Sequence, residues 1–225
     1  MTAKVFWKNP YQTELTSTVT RISDKEVELS HTIFYAESGG QESDAGTIDG
    51  IRVVGAIKSG SRIVYTLERQ PTFRVGDQVI TQIDWQRRYA LMKLHFAAEV
   101  ILELFTQKFA NIQKVGAHIS ADKSRIDFEW PESITPLLAE FQQRAQAVID
   151  SDAEIESAFS DEGQERRYWK VEGFAQVPCG GTHLKRTSEV GRIALKRKTL
   201  VKEKKESKLL WLTNRLQRSV FLNAD

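Results

Sequence analysis

The chain has 225 residues, 40% of them hydrophobic, and a net charge of only +2. That length and apolar fraction fit one or two ordinary globular domains, and no apolar run reaches the length of a membrane-spanning helix. The opening MTAKVFWKNP lacks the apolar core of a secretory signal, and a single cysteine excludes an intramolecular disulfide. The expected setting is therefore the reducing cytoplasm, with no membrane and no obligate protein partner in evidence.

Residues 1–83 read as a β-rich domain. The short β-branched or aromatic runs VFW, LTSTVTRI, VELS, TIF, GTIDGIRVVGAI, RIVYTLE and DQVITQID are separated by the turn signals NP, SGG, DG, SGS and GD. This spacing predicts a small barrel or compact sandwich. Inside it, Ser38-Gly39-Gly40-Gln41 has two readings. It is either a tight hairpin turn, or a loop whose glycines let the backbone approach a ligand and turn amides toward an oxyanion or phosphate.

A second domain is expected over 84–225. Residues 84–109 contain neither Gly nor Pro and are rich in helix formers, with Asp84 as the N-cap. Leu91, His95, Glu99 and Leu102 recur at helical spacing and share one face, so His95 and Glu99 lie one turn apart and point the same way. A strand is expected at 124–130, and Thr135-Pro136 reads as the N-cap and first residue of a helix ending near Ile149. Further strands are expected at 153–158, 166–172, 190–198 and 207–213, which makes the whole chain α+β.

Cys179-Gly180-Gly181-Thr182-His183 places the only thiol four residues before one of only four histidines. Thiolate and imidazole are both good zinc donors, and His95 with Glu99 offers two more ligands. Without a metal, the same residues read as a structural cysteine beside a loop histidine and a His–Glu pair on a helix. Residues 191–210 hold eight Lys or Arg against two Glu, which leaves this stretch at +6 and the remainder at −4. Such segregation makes either a patch for a polyanion, most naturally nucleic acid, or a solvated hairpin.

With these pieces in place, the chain resembles the freestanding alanyl-tRNA editing proteins called AlaX, of the medium-sized class, and the editing domain of alanyl-tRNA synthetase. Three blocks carry the resemblance: Thr32-Ile33-Phe34-Tyr35-Ala36-Glu37-Ser38-Gly39-Gly40-Gln41 followed by Asp44-Ala45-Gly46; Asp84-Trp85-Gln86-Arg87-Arg88 followed by Leu91-Met92 and His95; and Cys179 to His183 followed by Glu189-Val190-Gly191. It implies a small N-terminal barrel-like domain followed by a two-layer α/β editing domain, the second additional domain of tRNA synthetases. It also implies hydrolysis of the ester joining a wrong amino acid, serine or glycine, to tRNA for alanine, with one zinc ion per chain.

By the same resemblance Thr32 faces the amino-acid side chain, Gln41 lies near the terminal adenosine and the ester, and Gly39 and Gly40 approach the substrate. Arg87, Arg88, Lys196, Arg197 and Lys198 are the expected tRNA contacts. The family's metal pattern is H-x-x-x-H followed by C-x-x-x-H, and this chain departs from it by reading H-x-x-x-E. Glu99 is thus a fourth ligand beside His95, Cys179 and His183, a general base, or the mark of a lost metal and a module that only binds tRNA. His31 and His118 are the remaining histidines, the first expected on a strand and the second on a loop or strand.

Overall fold

The computed structural model describes residues 2–109, 112–129, 134–202 and 205–214, with the backbone alone at 129, 198–202 and 205–214. The chain divides into two compact units, Met1–Tyr89 and Ala90–Asp225, the division falling inside the first long helix. No helix among the described residues is long and apolar enough to cross a membrane.

The first unit contains β1 (Ala3–Lys4), β2 (Glu14–Ser23), β3 (Glu26–Leu29), β4 (His31–Thr32), β5 (Gly46–Ile48), β6 (Ile51–Ser59), β7 (Arg62–Leu67) and β8 (Gln78–Ile83). β1 and β4 pair in parallel, and the other six strands are hydrogen-bonded in the order β2-β3-β7-β6-β5-β8, where β2 returns to β8 and closes a barrel. Alternation drives this. Ile63, Tyr65 and Leu67 of β7, and Val79, Thr81 and Ile83 of β8, are buried, while their neighbours are not. The inward set packs with Val19, Leu29, Phe34 and Ile48 as one core.

Two expectations fail here for identifiable reasons. Val5-Phe6-Trp7 is a 3-10 turn rather than a strand, because the amides of Lys8 and Asn9 both return to the Val5 carbonyl. Its buried Phe6 meets Tyr35 edge to face, with ring centroids 5.4 Å apart. The strand expected at Thr32-Ile33-Phe34 stops at Thr32. The Phe34 amide donates to Thr32 Oγ1 at 2.9 Å and the Tyr35 amide to Asp44 Oδ2 at 2.6 Å, so neither is available to a ladder.

α1 (Trp85–Lys108) begins as expected, the Arg87 amide donating to Asp84 Oδ1 at 3.0 Å as to an N-cap. Arg88, in the first turn, is fully buried. Its Nε donates to Asp44 Oδ1 at 2.8 Å and its Nη2 pairs with Asp44 Oδ2. Its remaining bonds go to the carbonyls of Pro10 (2.9 Å) and Ile33 (2.5 Å). The Arg88 side chain thus ties the residues after β4, the Asp44 corner and the start of α1 into one network. The expectation that Arg88 contacts tRNA is corrected: a guanidinium with no exposed surface and carboxylate and carbonyl partners has nothing to offer a phosphate.

The second unit adds β9 (Gln113–Ile119), β10 (Ser124–Glu129), α2 (Leu138–Asp150), β11 (Glu156–Asp161), β12 (Arg166–Val171), β13 (Ala175–Pro178), β14 (Ile193–Lys202) and β15 (Lys205–Asn214). The strand orders are β14-β15-β10-β9 and β11-β12-β13. Between Ala90 and Phe105, α1 is buried on most of its circumference, which marks a helix enclosed by its surroundings rather than an amphipathic surface helix. Phe105 stacks on Phe141 of α2 at 3.9 Å and on Phe128 of β10 at 5.1 Å, while Phe96 meets Trp169 of β12 at 5.1 Å.

Thr135 does not cap α2. Thr135–Leu137 form a 3-10 turn without a side-chain cap, and the Thr135 hydroxyl instead accepts a bond from Arg197 Nη1 at 3.1 Å. β9 and β13 were not expected. β9 is carried by its pairing with β10 despite Gln113, Lys114 and Gly116 being weak strand formers.

Asp44→Ala leaves the Arg88 guanidinium buried without its counter-charge, and the unfolding free energy should fall by about 3–5 kcal/mol. Arg87→Ala, at a half-exposed ion pair with Glu42, should cost less than about 1 kcal/mol. Urea unfolding of both variants checks the contrast.

Candidate metal centre

α1 supplies the first two functional side chains. The i, i+4 spacing brings His95 Nε2 to 3.2 Å from Glu99 Oε2. The other two come from the loop after β13. The Cys179 amide still donates to the Arg167 carbonyl of β12 at 2.9 Å, so the thiol leaves the sheet from a fixed point. Cys179 Sγ lies 3.2 Å from His95 Nε2 and accepts the Gly181 amide at 3.3 Å. Gly181 is required by close approach, since a Cβ there would stand 2.6 Å from His95 Cε1. His183 then turns inward, its Nε2 3.6 Å from Glu99 Oε2.

Donor atoms of His95, Glu99, Cys179 and His183 all lie within 4.8 Å of one another. Ser157 of β11 holds the far side of His183, its hydroxyl 2.8 Å from Nδ1, so that Nε2 is the ring nitrogen facing the cluster. Arg167 flanks the loop, with its Nη1 3.5 Å from the Gly181 carbonyl and its guanidinium over the Phe159 ring at 5.0 Å.

The electrostatics of the four groups are coupled. Burial alone would raise the Glu99 carboxyl, but the positive charge of His95, joined by His183, holds it well below the usual carboxylate range. Burial alone would lower His95, yet the negative charges of Glu99 and Cys179 hold it well above an ordinary imidazole. His183 is raised against its burial by Cys179 and Glu99. Burial opposes ionisation of the Cys179 thiol and Glu99 adds to that, but His95 and His183 bring it down to about 7. A thiol so placed is substantially thiolate at neutral pH, the form that binds metals.

Two atoms test whether the donor set fits a cation. Glu99 Oε2 and His183 Nε2 are buried and have no hydrogen-bond partner among the described residues. Orphaned buried polar atoms are rare enough in folded proteins to need an explanation. Ligands at about 2.0–2.3 Å from one tetrahedral ion stand about 3.3–3.8 Å from each other. The separations of 3.2, 3.2 and 3.6 Å lie close to that spacing, two of them slightly below it. One thiolate, two imidazoles and one carboxylate are a donor set that suits zinc.

The first unit holds most of the other residues expected to act. Ser38 and Gln41 exchange backbone hydrogen bonds of 3.0 and 3.2 Å, with Gly39 and Gly40 at φ +62° and +86°. This is a two-residue hairpin of type I′, in which both central residues need positive φ. Gln41 is fully buried beside it, and so is Thr32. Arg87 braces the segment after the turn, donating to the Ser43 carbonyl at 3.0 Å and pairing with Glu42 at 2.7 Å. His31 is exposed and lies against Ser30, and His118 is half-buried in β9. Lys196 and Arg197 are exposed on β14, while the Lys198 side chain lies outside the described residues.

Ser157, Arg167 and the Tyr65 hydroxyl bonded to Thr32 were not anticipated. Each lies far along the chain from the residue it supports and in no recognisable motif.

Residues 2–87 match the family described as tRNA synthetases class II (A), and residues 170–211 match the threonyl and alanyl tRNA synthetase second additional domain. The chain is 32% identical to the alanyl-tRNA editing protein AlaX-M of Pyrococcus horikoshii, over 94% of this chain and 98% of the relative. It is 31% identical to the AlaX-M protein of Methanosarcina barkeri, over 84% and 90% respectively. An alanine–tRNA ligase of Methanococcus maripaludis is 31% identical over 85% of this chain, but over only 24% of that much longer enzyme.

Gly181→Ala should force His95 out of the cluster and abolish stoichiometric binding of added Zn2+. Ser157→Ala frees the His183 ring and should weaken binding by about 10- to 100-fold. Competition against a chromophoric chelator measures both. Wild-type affinity in both variants would remove the close packing and the hydroxyl from the site.

Proposed function

The chain belongs to the AlaX-M family of alanyl-tRNA editing proteins, and from that premise we propose that it hydrolyses Ser-tRNA and Gly-tRNA mischarged on the alanine tRNA, acting in trans in the cytoplasm. The observation that carries this reading for the chain itself is the four-donor cluster with its two orphaned buried atoms, Glu99 Oε2 and His183 Nε2. They support a retained metal centre over a module that only binds tRNA. Without the metal, the burial of that carboxylate rests on its pairing with the two imidazoles alone.

His95, Cys179, His183 and Glu99 would hold one zinc ion. Held by all four, zinc would act on the ester or on a water only by accepting a fifth ligand, and the chemistry it would then supply is Lewis acidity. The chain's own residues do the rest. Glu99, kept ionised, has capacity to hold a cation or to accept a proton. Its 3.2 and 3.6 Å approaches to the two imidazoles favour the ligand role. Arg167 and Ser157 keep the cysteine loop and the His183 ring in place.

Thr32 recognises the serine hydroxyl. A polar contact of that kind rejects alanine more strongly than a pocket that only senses size. Gln41, whose amide both donates and accepts, orients the terminal adenosine and the ester, with the Gly39-Gly40 backbone beside it. Arg87, Lys196, Arg197 and Lys198 meet tRNA phosphates, contacts that give affinity without sequence information.

Deacylation of Ser-, Gly- and Ala-tRNA charged on the alanine tRNA tests the function. The serine ester should be cleaved far faster than the alanine ester, and equal rates for the two would refute the editing role. Glu99→Gln should lower both zinc affinity and rate. Unchanged metal content with a slower rate would make Glu99 a base, and no change in either would make it a bystander.

Replacing Lys196 and Arg197 by alanine should weaken tRNA binding and reduce the log–log salt slope by roughly 0.7–0.9 per lost phosphate contact. Hydrolysis of a minimal aminoacyl-adenosine should be unaffected. A wild-type slope would make this strand a solvated one.

A further inference from the structure

Thr32 and Tyr65 meet inside the barrel, 33 residues apart in sequence and both fully buried. A threonine hydroxyl offers two acceptor sites and one proton. The Phe34 amide occupies one acceptor site at 2.9 Å. The Tyr65 hydroxyl occupies the other, and the direction of that bond follows from burial. A phenol that accepted from Thr32 would strand its own proton in an apolar core, so Tyr65 donates.

Burial holds this phenol well above its ordinary pKa, with the Thr32 contact opposing and the Asp44 charge adding, so the proton stays in place at working pH. The proton left to Thr32 meets only the Phe34 carbonyl, at 3.4 Å, longer than a good O–H···O bond. That contact is the one a substrate oxygen would have to displace to reach the Thr32 proton.

We propose that Tyr65 is a positioning residue for substrate selection: by occupying the second acceptor site of Thr32, it fixes that hydroxyl as a donor, and the protein then selects amino acids whose side chain presents an acceptor oxygen. The inference rests on the reading of Thr32 as the residue that recognises serine. It adds that serine is read through its oxygen lone pair, not through its proton. A side chain of similar size with only donors, such as the ammonium of 2,3-diaminopropionate, is refused.

The test compares kcat/KM for Ser-tRNA and Gly-tRNA in wild type, Tyr65→Phe, Thr32→Val and the double variant. Glycine has no side-chain hydroxyl, so its rate reports folding and chemistry alone. Tyr65→Phe should lower the Ser/Gly ratio roughly three- to tenfold, the worth of one hydrogen bond, and should add nothing in the Thr32→Val background. If Thr32→Val lowers the ratio and Tyr65→Phe leaves it unchanged, the inference fails while the reading of Thr32 stands. If neither changes the ratio, both fall. Should Tyr65→Phe not fold, the wild-type protein decides. Cleavage of 2,3-diaminopropionyl-tRNA as fast as Ser-tRNA overturns the inference, and a rate no higher than that of Ala-tRNA upholds it.

Discussion

Glu99 Oε2 is a buried, ionised carboxylate oxygen with an imidazole nitrogen on either side and no hydrogen bond. The second unit is arranged around that constraint. Removing charge from water is costly unless opposite charge meets it at close range, and buried acids are retained where they are paired or where they bind metal. Here the compensation comes from side chains on three elements: α1, β11 through Ser157, and the loop that follows β13. Each is placed by its own physics. Helix periodicity sets His95 and Glu99 one turn apart, a backbone bond to β12 anchors Cys179, and the Gly181 backbone lies against the His95 ring where no side chain fits.

By the resemblance the family carries a second helix histidine at position 99, and Glu99 here brings a carboxylate oxygen to 3.2 and 3.6 Å from the two imidazoles instead. Histidine at position 99 would contribute a neutral donor, whereas Glu99 adds a negative charge to that of Cys179. Such a donor set would neutralise a divalent cation more fully and leave it a weaker Lewis acid. The buried Arg167 guanidinium beside the cysteine loop supplies positive charge in the same neighbourhood. The chemistry of this centre is therefore set as much by the groups that surround the ligands as by the ligands themselves.

Much of this was readable from the residues. The spacing of His95 and Glu99 and the solitary Cys179 four before His183 identify both halves of the centre, because a short motif and a helical period fix direction locally. The strands of the first unit and the start of α1 at Asp84 follow from alternation and capping in the same way. What was not readable depends on contacts between distant segments. Arg88 and Arg87 are adjacent and chemically identical, yet one is sealed against Asp44 and the other partly exposed, and charge alone does not report burial. Ser157 stands 26 residues from His183, and Tyr65 33 from Thr32, in runs that look like any other strand. Val5-Phe6-Trp7 has strand-forming residues but too few of them before Asn9-Pro10 to enter a ladder. β9 has poor strand formers and is made by its partner.

The central claim is that His95, Glu99, Cys179 and His183 form one metal centre in this chain. X-ray absorption at the zinc edge of protein reconstituted with one equivalent of zinc tests it most directly. The account predicts one sulfur at about 2.3 Å and three nitrogen or oxygen ligands at about 2.0–2.1 Å, with a second sulfur appearing in Glu99→Cys. A coordination shell without sulfur in the wild type, or no bound zinc at all, would contradict it.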